Sequence, residues 1–138
     1  MIQNKRQHNV TKKQIETLSE SLKAAGQETD IDPRLYAAMV AGIRSQIDDL
    51  QQEVREFEEL QNASLLHMKC AEEFARVLIQ GRVARGLTQN ELANKLNLKP
   101  QQIQKYEATQ YQGASLKRIL AILGALDLDF EADIPLRK

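Results

Sequence analysis

Apolar positions recur at helical spacing along most of this chain. The most regular run lies within residues 34–61, where Val40, Ile43, Ile47, Leu50, Val54 and Phe57 follow at intervals of 3, 4, 3, 4 and 3. Such a run lines one side of an α-helix. Written as heptads, Val40, Ile47 and Val54 take a positions and Ile43, Leu50 and Phe57 take d positions. A helix over 34–61 spans about 42 Å. β-branched residues at a, with Leu among the d residues, favour a two-stranded parallel coil. The run lasts barely three heptads, so a second arrangement stands beside it, in which the seam packs against an earlier helix of the same chain. A hairpin that also pairs with a second copy combines the two. The earlier helix is predicted over 11–25, with Thr11 as N-cap, Ile15, Leu18, Leu22 and Ala25 as its stripe, and Gly26 as its stop. Residues 26–33, GQETDIDP, read as a loop ending in Asp32-Pro33, a cap followed by proline at the first helical position. Residues 1–10 have only Ile2 and Val10 as apolar positions and read as an arm, a short edge strand or a disordered segment.

Beyond a weak boundary at QNAS, 61–64, the helical pattern resumes through LLHMKCAEEFARVLIQGRVARG, so the link reads as one nearly continuous helix. Thr88 and Glu91 form a capping-box pattern ahead of Leu92, Ala93 and Leu96. Leu98 fills a turn, and Pro100 opens a helix running to about Ala108. From Ser115, Leu116, Ile119, Leu120 and Leu123 mark a further helix. The tail alternates Leu128, Phe130, Ala132 and Ile134 with Asp127, Asp129, Glu131 and Asp133, which reads as a short strand of period two. A lone strand needs a partner; the 2–10 segment and the same strand of a second subunit are the candidates. The pattern predicts an all-α chain in three parts: a helical dimerisation or partner-binding region at 1–62, a helical domain at 63–126, and a tail at 127–138.

Composition narrows this. Aromatics make up 4% and tryptophan is absent, which favours helices packed by aliphatic residues over a β-sandwich. The single cysteine, Cys70, excludes an intrachain disulfide and a Cys-rich zinc site, and points to a reducing cytosol. The polar start carries no secretory apolar region, and no run reaches the roughly 20 residues of a membrane span. The zero net charge conceals a partition: residues 33–62 carry three Lys/Arg against six Asp/Glu, whereas residues 63–125 carry nine against four. A basic domain beside an acidic helix suggests nucleic acid at one and a different partner at the other.

The helix from Pro100 carries the informative chemistry. With Ile103 at 0° and about 100° per residue, Tyr106 lies near 300° and Glu107 near 40°, while Gln101 near 160° and Lys105 near 200° face the opposite way. Gln102 and Gln104 flank them. A glutamine amide donates and accepts together, matching the N6/N7 edge of adenine, and lysine can donate to guanine O6 and N7. Gln89, Arg82, Lys99, Gln104 and Tyr111 are candidates for phosphate contacts, within a positive field to which Arg85, Lys95, Lys117 and Arg118 add. The competing reading is an ordinary solvated face, since glutamine is a good helix former. His8 and His67 are isolated, so no metal site is expected. Cys70, at helical spacing from Phe74 and Val77, reads as a small core residue. Neither a catalytic constellation nor a cofactor-binding motif is present, and no enzyme is expected.

RVARGLTQNELANKLNLKPQQIQKYEATQ resembles the helix-turn-helix of the Xre/Cro/cI-repressor family, through Arg82, Gly86, Leu87, Thr88, Gln89, Glu91, Leu92, Ala93, Leu98, Ile103 and Glu107. The resemblance covers about residues 66–126. It implies a five-helix domain that binds pseudo-palindromic double-stranded DNA as a homodimer, with Gln89 on a phosphate and Gln101, Gln102 and Lys105 facing bases. Lys99-Pro100 departs from the Ser or Thr that often starts the family's recognition helix, which removes one polar contact. The N-terminal extension is a second departure and is similar to the HigA-like antitoxins of toxin–antitoxin operons. That likeness implies an autorepressor whose acidic stretch 48–59 faces a basic toxin. The rivals are a phage-type or metabolic repressor with a purely dimerising extension through Val40, Ile43, Ile47, Leu50, Val54 and Phe57, and a protein-interaction module without DNA binding.

Overall fold

The structure, a computed structural model, describes residues 1–27 and 30–138 and contains six α-helices and one 3-10 turn. Residues 28 and 29 of the expected 26–33 loop lie outside the described residues. The chain divides into two compact units, Met1–Asn62 and Ala63–Lys138.

The first unit is a hairpin of α1 (Lys5–Ala25) and α2 (Pro33–Asn62). Helix α1 begins earlier than the expected start at Thr11. Asn4 is extended, and its Oδ1 accepts the Gln7 N–H at 2.9 Å, which caps the helix and places Thr11 in its interior. No glycine or proline interrupts residues 5–25. At the start of α2, Asp32 Oδ1 accepts the Arg34 N–H at 2.9 Å and Pro33 opens the helix. The 30 residues of α2 span about 45 Å.

The seam packs on α1 of the same chain. Val40, Ile43, Ile47, Leu50 and Val54 are half-buried there and Phe57 is buried. The helices run antiparallel, so the basic start of α1 meets the acidic end of α2. The His8 ring stacks on Phe57 at 4.9 Å between centroids, and its Nε2 lies 2.9 Å from Glu58 Oε1. Lys12 Nζ is 3.8 Å from the same oxygen, and the Met1 amino group is 3.6 Å from Glu53. Exposed pairs of this kind add little stability.

The second unit contains a 3-10 turn at Ala71–Glu73, α3 (Phe74–Ala84), α4 (Gln89–Lys95), α5 (Pro100–Ala108) and α6 (Leu116–Ala125). Four α-helices and a 3-10 turn thus stand where five helices were expected, within the expected all-α fold. The expected continuous helix from residue 62 is absent: residues 63–70 are non-helical. Cys70 is extended (φ −150°, ψ 160°) and exposed, so it is not a core residue. Helix α3 starts only where Phe74 can reach the core. Leu78, Leu92, Ala93, Ile103, Ile122 and Leu126 form that core.

The tail after α6 forms no strand among the described residues. One candidate partner, residues 2–10, is largely consumed by α1. The tail instead begins by crossing α3. The Arg85 guanidinium donates to the Leu126 carbonyl at 2.8 Å and to the Asp127 carbonyl. Phe130 meets Phe74 edge-on at 5.4 Å. Leu128 lies over Gly81, where an added Cβ would stand 2.5 Å from Leu128 Cδ1. Gly81→Ala is therefore expected to cost about 1–3 kcal/mol through overpacking. Thermal melts of Gly81→Ala, with and without Leu128→Ala to vacate the space, check this. The second change should remove most of the penalty of the first.

Candidate nucleic-acid interface

Helices α4 and α5 form a compact pair whose geometry follows from its caps. Thr88 Oγ1 accepts the Glu91 N–H at 3.2 Å, and Glu91 Oε2 accepts the Thr88 N–H at 2.7 Å. The Thr88 amide holds the Glu91 carboxyl below the ordinary carboxylate range. The folded-state pKa is depressed, so this cap is intact at neutral pH and is lost as pH falls through the lowered value. At the other end of α4, the Leu98 N–H returns to the Ala93 carbonyl at 2.9 Å across Asn97, which takes φ +54°. Asparagine tolerates that left-handed conformation better than most residues. The turn re-aims the chain, and Pro100 starts α5.

Buried Ile103 anchors α5, and Gln101, Gln102, Gln104 and Lys105 are all exposed. The side chains of Gln101, Gln104 and Lys105 have no recorded partner among the described residues. Gln102 differs: its Oε1 accepts the Lys99 N–H at 3.1 Å, which leaves its amide nitrogen as the available group. Lys99 and Lys95 are also exposed nearby.

Three expected phosphate ligands are placed elsewhere. Arg82 is 1% exposed. Its Nε and Nη2 donate to Glu107 Oε1 and Oε2 at 2.6 and 3.0 Å, and its Nη1 donates to the Leu87 carbonyl at 2.8 Å. A guanidinium buried and bonded in this way is not available to a phosphate. Gln89 Nε2 donates to Glu107 Oε2 at 2.6 Å, so the amide is tied to the same carboxylate and partly buried. Tyr111 is buried, with its ring 5.8 Å from that of Tyr106.

Sequence reasoning missed the reason for Tyr111. Gln110 and Tyr111 both take left-handed φ, +55° and +56°, where the chain leaves α5. That turn carries the ring inward. Its hydroxyl finds no hydrogen-bond partner, and burial, followed by the negative charge of Glu107, pushes the phenol above its ordinary pKa. Tyr111→Phe is expected to leave stability unchanged or raise it by about 1 kcal/mol, because a buried hydroxyl without a partner costs desolvation energy. Urea unfolding checks this; a clear loss of stability would show that the hydroxyl has a bonding role.

A capped helix, a tight turn and a second helix locked by a buried isoleucine and an internal ion pair also agree with known sequences. Residues 78–132 match the sequence model of the HTH_3 helix-turn-helix family. The second unit carries a helix-turn-helix domain. Within this chain, 54 residues are 46% identical to human endothelial differentiation-related factor 1. That match spans 39% of this chain and 33% of the human protein, so the chain covers about a third of its relative. No solved structure matches. In the helix-turn-helix domain, α5 is the second helix of the motif and presents the exposed glutamines and Lys105. Among the described residues, no group of three His, Cys, Asp or Glu residues could hold a metal ion, and no helix is long and apolar enough to cross a membrane.

Proposed function

We propose that this protein is a sequence-specific double-stranded DNA-binding regulator of transcription. The observation that carries the reading is the outer face of α5. Gln101, Gln104 and Lys105 are exposed opposite the buried Ile103, on the second helix of a helix-turn-helix domain. A major groove admits such a helix, and amide and ammonium groups suit its base edges. Gln102 adds N–H donors, while Lys95 and Lys99 supply charge for the phosphate backbone. Selection from a random duplex pool with the full chain tests this. Enrichment of one motif is expected; a pool that stays random after several rounds overturns the reading.

For the hairpin we infer a basic protein partner, the toxin of a toxin–antitoxin pair, with this chain as its antitoxin and autorepressor. The supporting observation is charge left over after folding. Glu53 and Glu58 are engaged by α1 or the amino terminus, whereas Asp48, Asp49, Glu56 and Glu59 have no recorded ion pair among the described residues. Co-expression with the product of the neighbouring gene, followed by purification, tests the reading. A stable complex that dissociates with Asp48→Lys/Glu59→Lys supports it. Failure of the neighbour to bind leaves a repressor with a dimerising extension as the better account.

A further inference from the structure

Residues 128–134 form a segment with two footholds and no ladder. Leu128 lies over Gly81 of α3, and Phe130 meets Phe74 of the same helix at 5.4 Å. The Leu128 N–H returns to the Leu123 carbonyl at 3.0 Å. From Asp129 onward no hydrogen bond or ion pair is recorded among the described residues, and residues 131–138 are all exposed. Ile134 is 81% exposed and Leu136 89%, the highest values among the large apolar residues described. The peptide groups of this stretch therefore have water as their partner, while its aliphatic side chains stay wet.

The order of the side chains fits one backbone state. Leu128, Phe130, Ala132 and Ile134 alternate with Asp129, Glu131 and Asp133. In a strand, this alternation puts all the apolar groups on one face and all three carboxylates on the other. On a helix, at about 100° per residue, Asp129 and Glu131 would stand about 160° apart and no apolar face would remain. Pro135 closes the run where a strand can end without losing a ladder donor. Pairing as a strand would not dislodge the footholds. Ladder bonds lie within a sheet, whereas side chains stand above and below it, so Leu128 and Phe130 can stay on α3 while the backbone edge is taken.

Charge selects the strand that can pair. The described residues of this chain contain no strand, and residues 5–10 belong to α1. A second copy of the same segment is disfavoured by its own acids. Any pairing that keeps both sets of apolar residues on one face brings the carboxylates of the two strands opposite each other on the other face, and like charges directly opposite destabilise a pair. A strand with Lys or Arg along that face has the complementary charge. We propose that residues 128–134 are a docking strand that adds to the exposed edge of a β-sheet in a different protein, on an edge strand that alternates basic with apolar side chains. Lysine on an edge strand ordinarily keeps sheets from joining edge to edge. Three carboxylates at matching two-residue intervals lift that barrier for this segment. In such strand addition main-chain bonds supply the hold and alternate side chains supply the selectivity. The two footholds lower the ordering cost, because the start of the strand is already placed.

The test uses the full chain without DNA, so its outcome is separable from that of the DNA-binding reading. The probe is a backbone-cyclised β-hairpin peptide whose edge strand alternates lysine with valine. It is titrated against isotope-labelled protein and followed by amide shifts and hydrogen exchange. Shift changes centred on residues 128–134 are expected. Exchange should slow about tenfold or more in one alternating set of amides between Asp129 and Ile134, since only every second N–H of an edge strand points at its neighbour. The same hairpin with glutamate in place of lysine should leave exchange unchanged. Asp129→Lys/Asp133→Lys, at exposed positions, should reverse the preference: the lysine hairpin no longer binds and the glutamate hairpin does, with the unfolding midpoint unchanged. The proposal is overturned by a tail that stays unprotected at millimolar lysine hairpin, or by protection of consecutive amides, which marks a helix. Shift changes centred on the acidic stretch 48–59 of α2 instead, or equal binding of the lysine and glutamate hairpins, overturn it too.

Discussion

Replacing Glu107 with alanine is expected to destabilise the helix-turn-helix domain by about 3–5 kcal/mol, the usual cost of leaving one partner of a buried ion pair uncompensated. The size follows from what the carboxylate holds. It accepts two bonds from Arg82 and one from Gln89, and its side chain is 5% exposed against 2% for Arg82. These three residues come from α3, α4 and α5, so one carboxylate joins the helix before the motif to both helices within it. Removing it leaves a guanidinium inside the core without the carboxylate that balances its charge. Two companion variants separate the contributions. Gln89→Ala should cost less, about 1.5–3 kcal/mol, because it removes one charge-assisted bond and strands no charge. The paired Arg82→Met/Glu107→Leu should recover much of the loss, since apolar replacements of similar volume often match a buried ion pair. Hydrogen exchange over residues 63–138, or urea unfolding followed at constant m-value, measures each. A Glu107→Ala chain as stable as the natural one would contradict a structural role for the triad.

The second large effect concerns the outer face of α5. Gln101→Ala and Lys105→Ala are each expected to weaken binding to the selected duplex by about 1–3 kcal/mol, or roughly 5- to 150-fold, while changing binding to random duplex much less. Lys99→Ala should behave differently. As a backbone contact it should weaken both duplexes alike and lower the salt slope by about one. Gln102→Ala is expected to do less to specificity than Gln101→Ala, because its carbonyl oxygen is committed to the Lys99 N–H. None of these side chains enters the core, so unfolding midpoints should stay within about 0.5 kcal/mol of the natural chain, except at Gln102, where a cap is lost. Anisotropy titrations on both duplexes read out the pattern. Equal losses on both duplexes for Gln101 and Lys105 would make them electrostatic or structural residues and not readers of sequence.

These predictions also mark where the sequence was legible. Periodicity found the seam residues of α2 and the outward set on α5, because both are one-helix properties that a wheel can display. The Thr88–Glu91 box was equally readable, since its two halves lie three residues apart. Contacts closed by the fold were not. Arg82 reads as surface charge until Glu107, 25 residues away, is brought beside it. Tyr111 reads as exposed until two successive left-handed residues turn it inward. Arg85 looked like part of a positive field, yet it is spent on carbonyls at the end of α6. Helix α1 starts before Thr11 because Asn4 is a better cap than Thr11 and the intervening residues, though polar, do not resist helix. Cys70 matched a helical spacing in a stretch where no helix forms. The tail's period-two pattern describes real alternation, but without a ladder partner it forms no strand, and Leu128 and Phe130 pack on α3 instead.

The central claim is that the α5 face reads double-stranded DNA. The most direct test is fluorescence anisotropy of the full chain with a labelled duplex from upstream of its own gene and with a scrambled duplex, each at two salt concentrations. The account predicts preference for the natural duplex by about 10³-fold or more, with both affinities falling as salt rises. Equal weak binding to both duplexes, or none, would contradict it and leave the glutamines of α5 as an ordinary solvated helix face.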